Sequence, residues 1–151
     1  MNTGVDSMRP IIRATALCLF ALTPMPAAAQ EPVVMMCRIT DESGTGWVPE
    51  FIMLTRQTSG PHEGRIEVFD PILKDLLGRP IPAQVTADDA RARSYGWALA
   101  GVRNRSGQRT ERLDYRLTVS KRDGSAQVAA TALGYDNVMT GSGVCGSPGG
   151  G

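Results

Sequence analysis

The chain has 151 residues, 42% of them hydrophobic and 21% charged, with 16 Lys and Arg against 15 Asp and Glu. That length holds one domain with one modest core and excludes a second domain built around a cofactor. A formal net charge of +1 excludes a globally basic nucleic-acid binder.

The first segment reads as an address. Arg9 and Arg13 precede the apolar stretch 14–22 (ATALCLFAL), which is too short to cross a bilayer. Pro24 and Pro26 break it, and Ala27, Ala28 and Ala29 supply small residues for a cleavage site before Gln30. The pattern predicts a secretory signal peptide over 1–29. The mature chain is then expected in the periplasm or outside the cell, not membrane-spanning, with 14 basic and 14 acidic residues. Lipidation at Cys18 is disfavoured, because Leu17 stands where a lipoprotein cleavage site wants a small residue.

Cys37 and Cys145 remain, and in an oxidising compartment one intramolecular disulfide is expected. The alternatives are a two-cysteine metal site and free thiols. A metal site needs further ligands, and the one histidine, His62, is distant in sequence.

From residue 30 to 145 short β-branched and aromatic runs alternate with Gly, Pro, Asp and Asn, which predicts an all-β domain. Strands are expected over 33–39, 47–56, 65–69 and 81–86, with a turn over 41–46 and an edge or bulge near Pro49. One helical turn is expected over 71–77, capped by Asp70, opened by Pro71 and ended by Gly78.

Further along, Tyr95, Trp97 and Leu99 alternate on one face, as do Leu113, Tyr115, Leu117 and Val119, and Val128, Ala130 and Ala132. Asp123-Gly124 predicts a two-residue turn that sets Val119 opposite Val128, Leu117 opposite Ala130 and Tyr115 opposite Ala132. Around Ser106-Gly107 a two-residue loop would put the apolar sets on opposite faces. A three-residue loop, Arg105-Ser106-Gly107, pairs Leu99 with Leu113, Trp97 with Tyr115 and Tyr95 with Leu117, and the apolar face selects it. A last strand over 135–145, bridged to the first, implies a small antiparallel barrel or two-sheet sandwich of seven or eight strands. Residues 146–151 are expected to be a disordered glycine-rich tail.

Little here carries recognisable chemistry. His62 beside Glu63 has no nucleophile or orienting acid that the sequence names, so a solvated loop histidine is the expectation. Asp41-Glu42 and Asp88-Asp89 lack the spacing of a calcium loop and read as exposed turn residues. No metal and no cofactor is expected. Among the aromatic residues, Trp47 and Tyr135 are the least constrained candidates for a ligand platform.

Charge is uneven. Between residues 91 and 122 there are nine basic residues and two acids, whereas 31–90 carries ten acids and five basic residues. The outer face of the meander sets Arg112 beside Ala100, Asp114 beside Ala98 and Arg116 beside Gly96. Arg103, Arg105, Arg109, Arg112 and Arg116 therefore form the candidate binding surface, suited to an anionic periplasmic protein or glycan. The plainer reading is that these charges solvate an exposed face.

The order Cys37, Gly46-Trp47-Val48-Pro49, Gly64-Arg65-Ile66-Glu67-Val68-Phe69-Asp70, Trp97-Ala98-Leu99, Gly107-Gln108-Arg109-Thr110, Leu113-Asp114-Tyr115-Arg116, Gly134-Tyr135 and Gly141-Ser142-Gly143-Val144-Cys145 resembles a group of small exported bacterial proteins of unknown function. The resemblance spans Cys37 to Cys145 and brings no activity with it. The expected architecture is also similar to the periplasmic lysozyme inhibitors, small barrels with a disulfide. Their serine- and tyrosine-containing inhibitory loop has no clear match here; Gly134-Tyr135 and Gly141-Ser142-Gly143 are only fragments that could be mistaken for it. Three functions follow as expectations: a non-catalytic interaction module, an inhibitor of a cell-wall hydrolase or protease, and a small hydrolase centred on His62.

Overall fold

A computed structural model describes residues 28–104 and 106–148, together with 1, 4 and 25. Almost all of the expected leader, Arg105, and the tail residues 149–151 lie outside the described residues.

Eight strands run in chain order around a closed antiparallel barrel. They are β1 (Val33–Asp41), β2 (Phe51–Arg56), β3 (Ile66–Phe69), β4 (Ile81–Asp88), β5 (Ala92–Arg103), β6 (Arg109–Ser120), β7 (Ser125–Ala132) and β8 (Val138–Gly146). The single helix among the described residues, α1 (Pro71–Leu76), links β3 to β4. It begins as its sequence demands: Asp70 is the N-cap, its carboxylate accepting from Leu73 N at 2.8 Å, and Pro71 opens the first turn.

Closure is made by β1 and β8, where Cys37 and Cys145 stand directly opposite each other and form the disulfide. Here β8 needs glycine. A Cβ on Gly143 would fall on the Arg38 carbonyl oxygen of β1. Gly146, expected to begin the tail, instead ends β8 opposite Met36. The ladder carries the chain one residue past the disulfide.

Apolar residues at alternate positions fill the interior. Ile52, Leu54, Val68, Leu113, Leu117 and Val128 are buried, and Trp97 stacks on Tyr115 with ring centroids 5.2 Å apart. The β5–β6 register is the one the three-residue loop predicts, with Leu99 opposite Leu113, Trp97 opposite Tyr115 and Tyr95 opposite Leu117. Gly107 has a φ of 85° and its N–H bonds back to the Asn104 carbonyl.

Three local expectations are corrected. The β6–β7 ladder is slipped by two residues, setting Val119 opposite Ala126, Leu117 opposite Val128 and Tyr115 opposite Ala130. A two-residue type I′ turn needs positive φ at both of its central residues, and Asp123 has none; only Gly124 does. Asp123 instead accepts from Ser125 N and Oγ, while Gly124 N bonds to Ser120 O, giving a wider turn. A slip of two leaves every side chain on its face.

The second correction concerns 47–50, which lie outside the ladder: β2 begins at Phe51. Pro49 has no N–H to give a ladder. Trp47 and Val48 turn inward instead and are buried at one end of the barrel, where the Tyr115 hydroxyl donates to the Trp47 carbonyl at 2.6 Å. Trp47 is thus a core plug and no ligand platform. Third, 135–137 lie outside the ladder, after a turn at Leu133-Gly134, and β8 starts at Val138.

Candidate functional site

The inward side of the sheet is apolar, so chemistry available to a ligand lies on the outer face and at the barrel ends. On the outer face of β4 to β8 the ladder registers build continuous rows that follow the curve of the barrel. One row runs Gln84, Gly96, Arg116, Ala129, Thr140, each residue opposite the next. A neighbouring row runs Ala98, Asp114, Thr131, Val138.

The side chains in these rows differ greatly in size, and that difference makes relief. Gly96 and Ala98 leave the floor low, and Arg112, Asp114 and Arg116 rise beside it. A groove of about 690 Å³ results, bounded on its far side by Pro82, Gln84 and Thr86. The bulge between Val85 and Ala87 tips Thr86 over β5, and a Cβ on Gly96 would meet Thr86 Cγ2 at 2.8 Å. A second groove, of about 470 Å³, lies on the other side of Arg116, between that residue and Glu42, over Ala129. Glu42 is held there by hydroxyl donors, Thr140 at 3.4 Å and Ser142.

The arginines of the candidate surface have different fates. Arg112 is taken by Asp114: its guanidinium Nε lies 2.9 Å from both carboxylate oxygens and another nitrogen lies at 2.8 Å. That carboxylate raises the Arg112 pKa. Arg116 is exposed and makes no ion pair or side-chain hydrogen bond among the described residues. Arg105 lies outside the described residues.

Arg103 and Arg109 do not share the groove. They oppose each other near the tip of the β5–β6 hairpin, but at Gly101, with a φ of 63°, the strand leaves the extended conformation. Val102 and Thr110 beyond it are buried, although their alternation matches exposed Ala100 and Arg112. Arg103 therefore lines a different cavity, of about 460 Å³, at the barrel end with Asp41, Glu50 and Asp75. The expected basic hairpin surface is divided between two places.

Other candidates take structural positions. His62 is exposed in a tight turn, and its carbonyl accepts from Arg65 N. Asp41 accepts from Ser43 N, Gly44 N and Gly46 N, holding its loop. Asp88 pairs with Arg93 at 2.8 Å and Lys121 at 2.6 Å, which lowers its pKa to about 2. Asp89 accepts from Arg91 N and Ala92 N. No group of three His, Cys, Asp or Glu among the described residues is placed to hold a metal ion. Tyr135 is exposed in the β7–β8 connection, its hydroxyl donating to Arg109 O at 3.3 Å.

Two features escaped the sequence. Glu42 joins the grooves only through the β1–β8 closure, and Gln84, Thr86 and Thr140 only through the β4–β5 and β7–β8 registers, which alternation did not give, although the outward Ser, Thr and Gln residues of 125–131 and 140–142 signal a polar face. Asp70, legible as a cap, is also 1% exposed with Oδ2 lacking a hydrogen bond among the described residues. Burial pushes its pKa up to about 6 against the opposing Leu73 and Ile72 N–H donors. Burial likewise raises the Tyr115 pKa, helped by the charges of Asp70 and Asp41.

No protein-family model, no curated protein and no solved structure matches this chain. No helix among the described residues is long and apolar enough to cross a membrane.

Proposed function

We propose that the mature chain is an exported, non-catalytic binding module that engages its ligand on the outer face of β4 to β8. Export is supported by the leader pattern of residues 1–29 and by the Cys37–Cys145 disulfide, which suits an oxidising compartment. The observation that carries the binding reading is the 690 Å³ groove floored by Gly96 and Ala98 and walled by Arg112 and Arg116. A closed barrel has no free edge for strand addition, so a ligand must be held by side chains of a face or an end.

The test is affinity capture from a periplasmic extract, with oxidised mature protein as bait beside an Arg112→Glu/Arg116→Glu variant. The expected result is a ligand retained by the parent and lost by the variant. Equal retention by both baits would overturn the assignment to this face.

A second reading, inhibition of a basic cell-wall hydrolase, is favoured by the end cavity, where Asp41, Glu50 and Asp75 face one arginine, Arg103. It predicts inhibition of purified lysozyme that an Asp75→Lys variant loses. Full lysozyme activity at micromolar protein would remove it for that enzyme.

A further inference from the structure

We propose that the paired grooves about Arg116 bind an acidic glycan bearing isolated carboxylates. This deepens the binding-module reading and rests on it. Arg116 stands between Gly96 and Ala129, two of the smallest residues, in one cross-strand row. Its guanidinium is therefore open on both flanks, and it lines both the 690 Å³ and the 470 Å³ grooves. The row from Gln84 to Thr140 follows the curve of the barrel through four strand spacings, about 19 Å of surface, and the two grooves beside Arg116 offer the part of it on which a few sugar rings would lie.

The chemistry around that cation selects the ligand class. The grooves offer hydroxyl and amide groups, including Gln84, Thr86, Thr118 and Gln127. Such a lining matches a ligand rich in hydroxyls. Protein interfaces add exposed aromatic anchors to their arginines, and the aromatic rings of Trp97 and Tyr115 here belong to the core. Carboxylates flank Arg116: Asp114, already spent on Arg112, and Glu42, beyond Ala129. A chain with closely spaced anions would meet those carboxylates. A chain with separated carboxylates places one on Arg116, where a guanidinium takes it through paired N–H donors.

The test is calorimetric titration of the oxidised mature protein at physiological salt. Hyaluronan hexasaccharide supplies one carboxylate per disaccharide, isomaltohexaose is its neutral counterpart, and a heparin hexasaccharide supplies dense sulfates. The expected result is hyaluronan binding at least about tenfold tighter than the neutral sugar, as one charge-assisted contact would give, and no weaker than heparin. Arg116→Gln should lose about tenfold, Arg116→Lys less, and Arg56→Gln, across the barrel on β2, nothing. Equal binding of the charged and neutral sugars would overturn the proposal, as would heparin binding that persists in Arg116→Gln. If no sugar binds at millimolar concentration while the charge-reversed bait still loses a captured protein, the glycan is wrong and the binding face stands. If both fail, both readings fall.

Discussion

Asp70→Asn isolates one buried charge. In the folded chain the Asp70 carboxyl titrates at about 6, against 3.8 for the unperturbed group. A difference of roughly two pH units is worth about 3 kcal/mol. The sign follows from which state holds the proton more tightly. The folded protein does, so this group costs nothing below the unfolded pKa and destabilises progressively as pH rises from about 4 through 6. Asparagine caps a helix as well as aspartate and cannot ionise. An unpaired amide would cost the same at every pH, and so leaves the pH dependence alone. The expected outcome is a variant whose stability relative to the parent improves by about 3 kcal/mol between pH 3.5 and pH 7.5. Asp88 and Asp123, whose pKa values are lowered by their partners, contribute the opposite slope in acid. They are present in both proteins and cancel in the difference. Urea denaturation followed by tryptophan fluorescence across that range measures it. A difference that stays flat with pH, or that grows toward acid, would refute the reasoning.

The disulfide links residues 108 apart in sequence. A Cys37→Ala/Cys145→Ala double variant should lose about 4–5 kcal/mol if loop-closure entropy dominates; a denaturant midpoint within error of the parent would count against that. Gly143→Ala places a Cβ on the Arg38 carbonyl oxygen at the closing seam, and should cost roughly 3 kcal/mol or more. Gly134→Ala, in open space at a φ of 89°, should cost only about 1 kcal/mol; thermal melts of the two side by side check the contrast. Tyr115→Phe removes the hydrogen bond that ties the Trp47 plug to β6. It should destabilise by roughly 1–3 kcal/mol and leave β-sheet circular dichroism unchanged. An unaltered melting temperature would show that this bond does not hold the barrel end.

How legible the fold was depended on the range of the signal. The β5–β6 ladder followed from alternation once the turn around Ser106-Gly107 was limited to two or three residues, because Trp97, Leu99, Tyr115 and Leu117 tolerate one face and a shift by one would expose them all. The β6–β7 ladder did not, because a slip of two preserves every face; the Asp123 side-chain bonds to Ser125 settled the turn. The helix start at Asp70 and Pro71 was legible for the same local reason as the turns: its capping group and its first residue are adjacent in the chain. The candidate surface was half legible. Arg112 and Arg116 lie where outward alternation puts them, whereas Gly101 breaks the alternation and sends Arg103 to the barrel end.

The amino-acid sequence by itself determined a β domain, its disulfide partners, its helical turn and the inward face of its central meander. Each of these is set by neighbours within a turn or hairpin, or by a count of two cysteines. Only the tertiary structure decided that the sheet closes, since that depends on β1 meeting β8 across almost the whole domain. It also decided that Trp47 is a plug, that Asp70 is buried beneath the barrel end, and that Arg116 stands open between two grooves. The first two rest on contacts between segments far apart in the chain, and the last on a row of residues gathered from five strands; no local pattern in a single strand encodes which residues will meet.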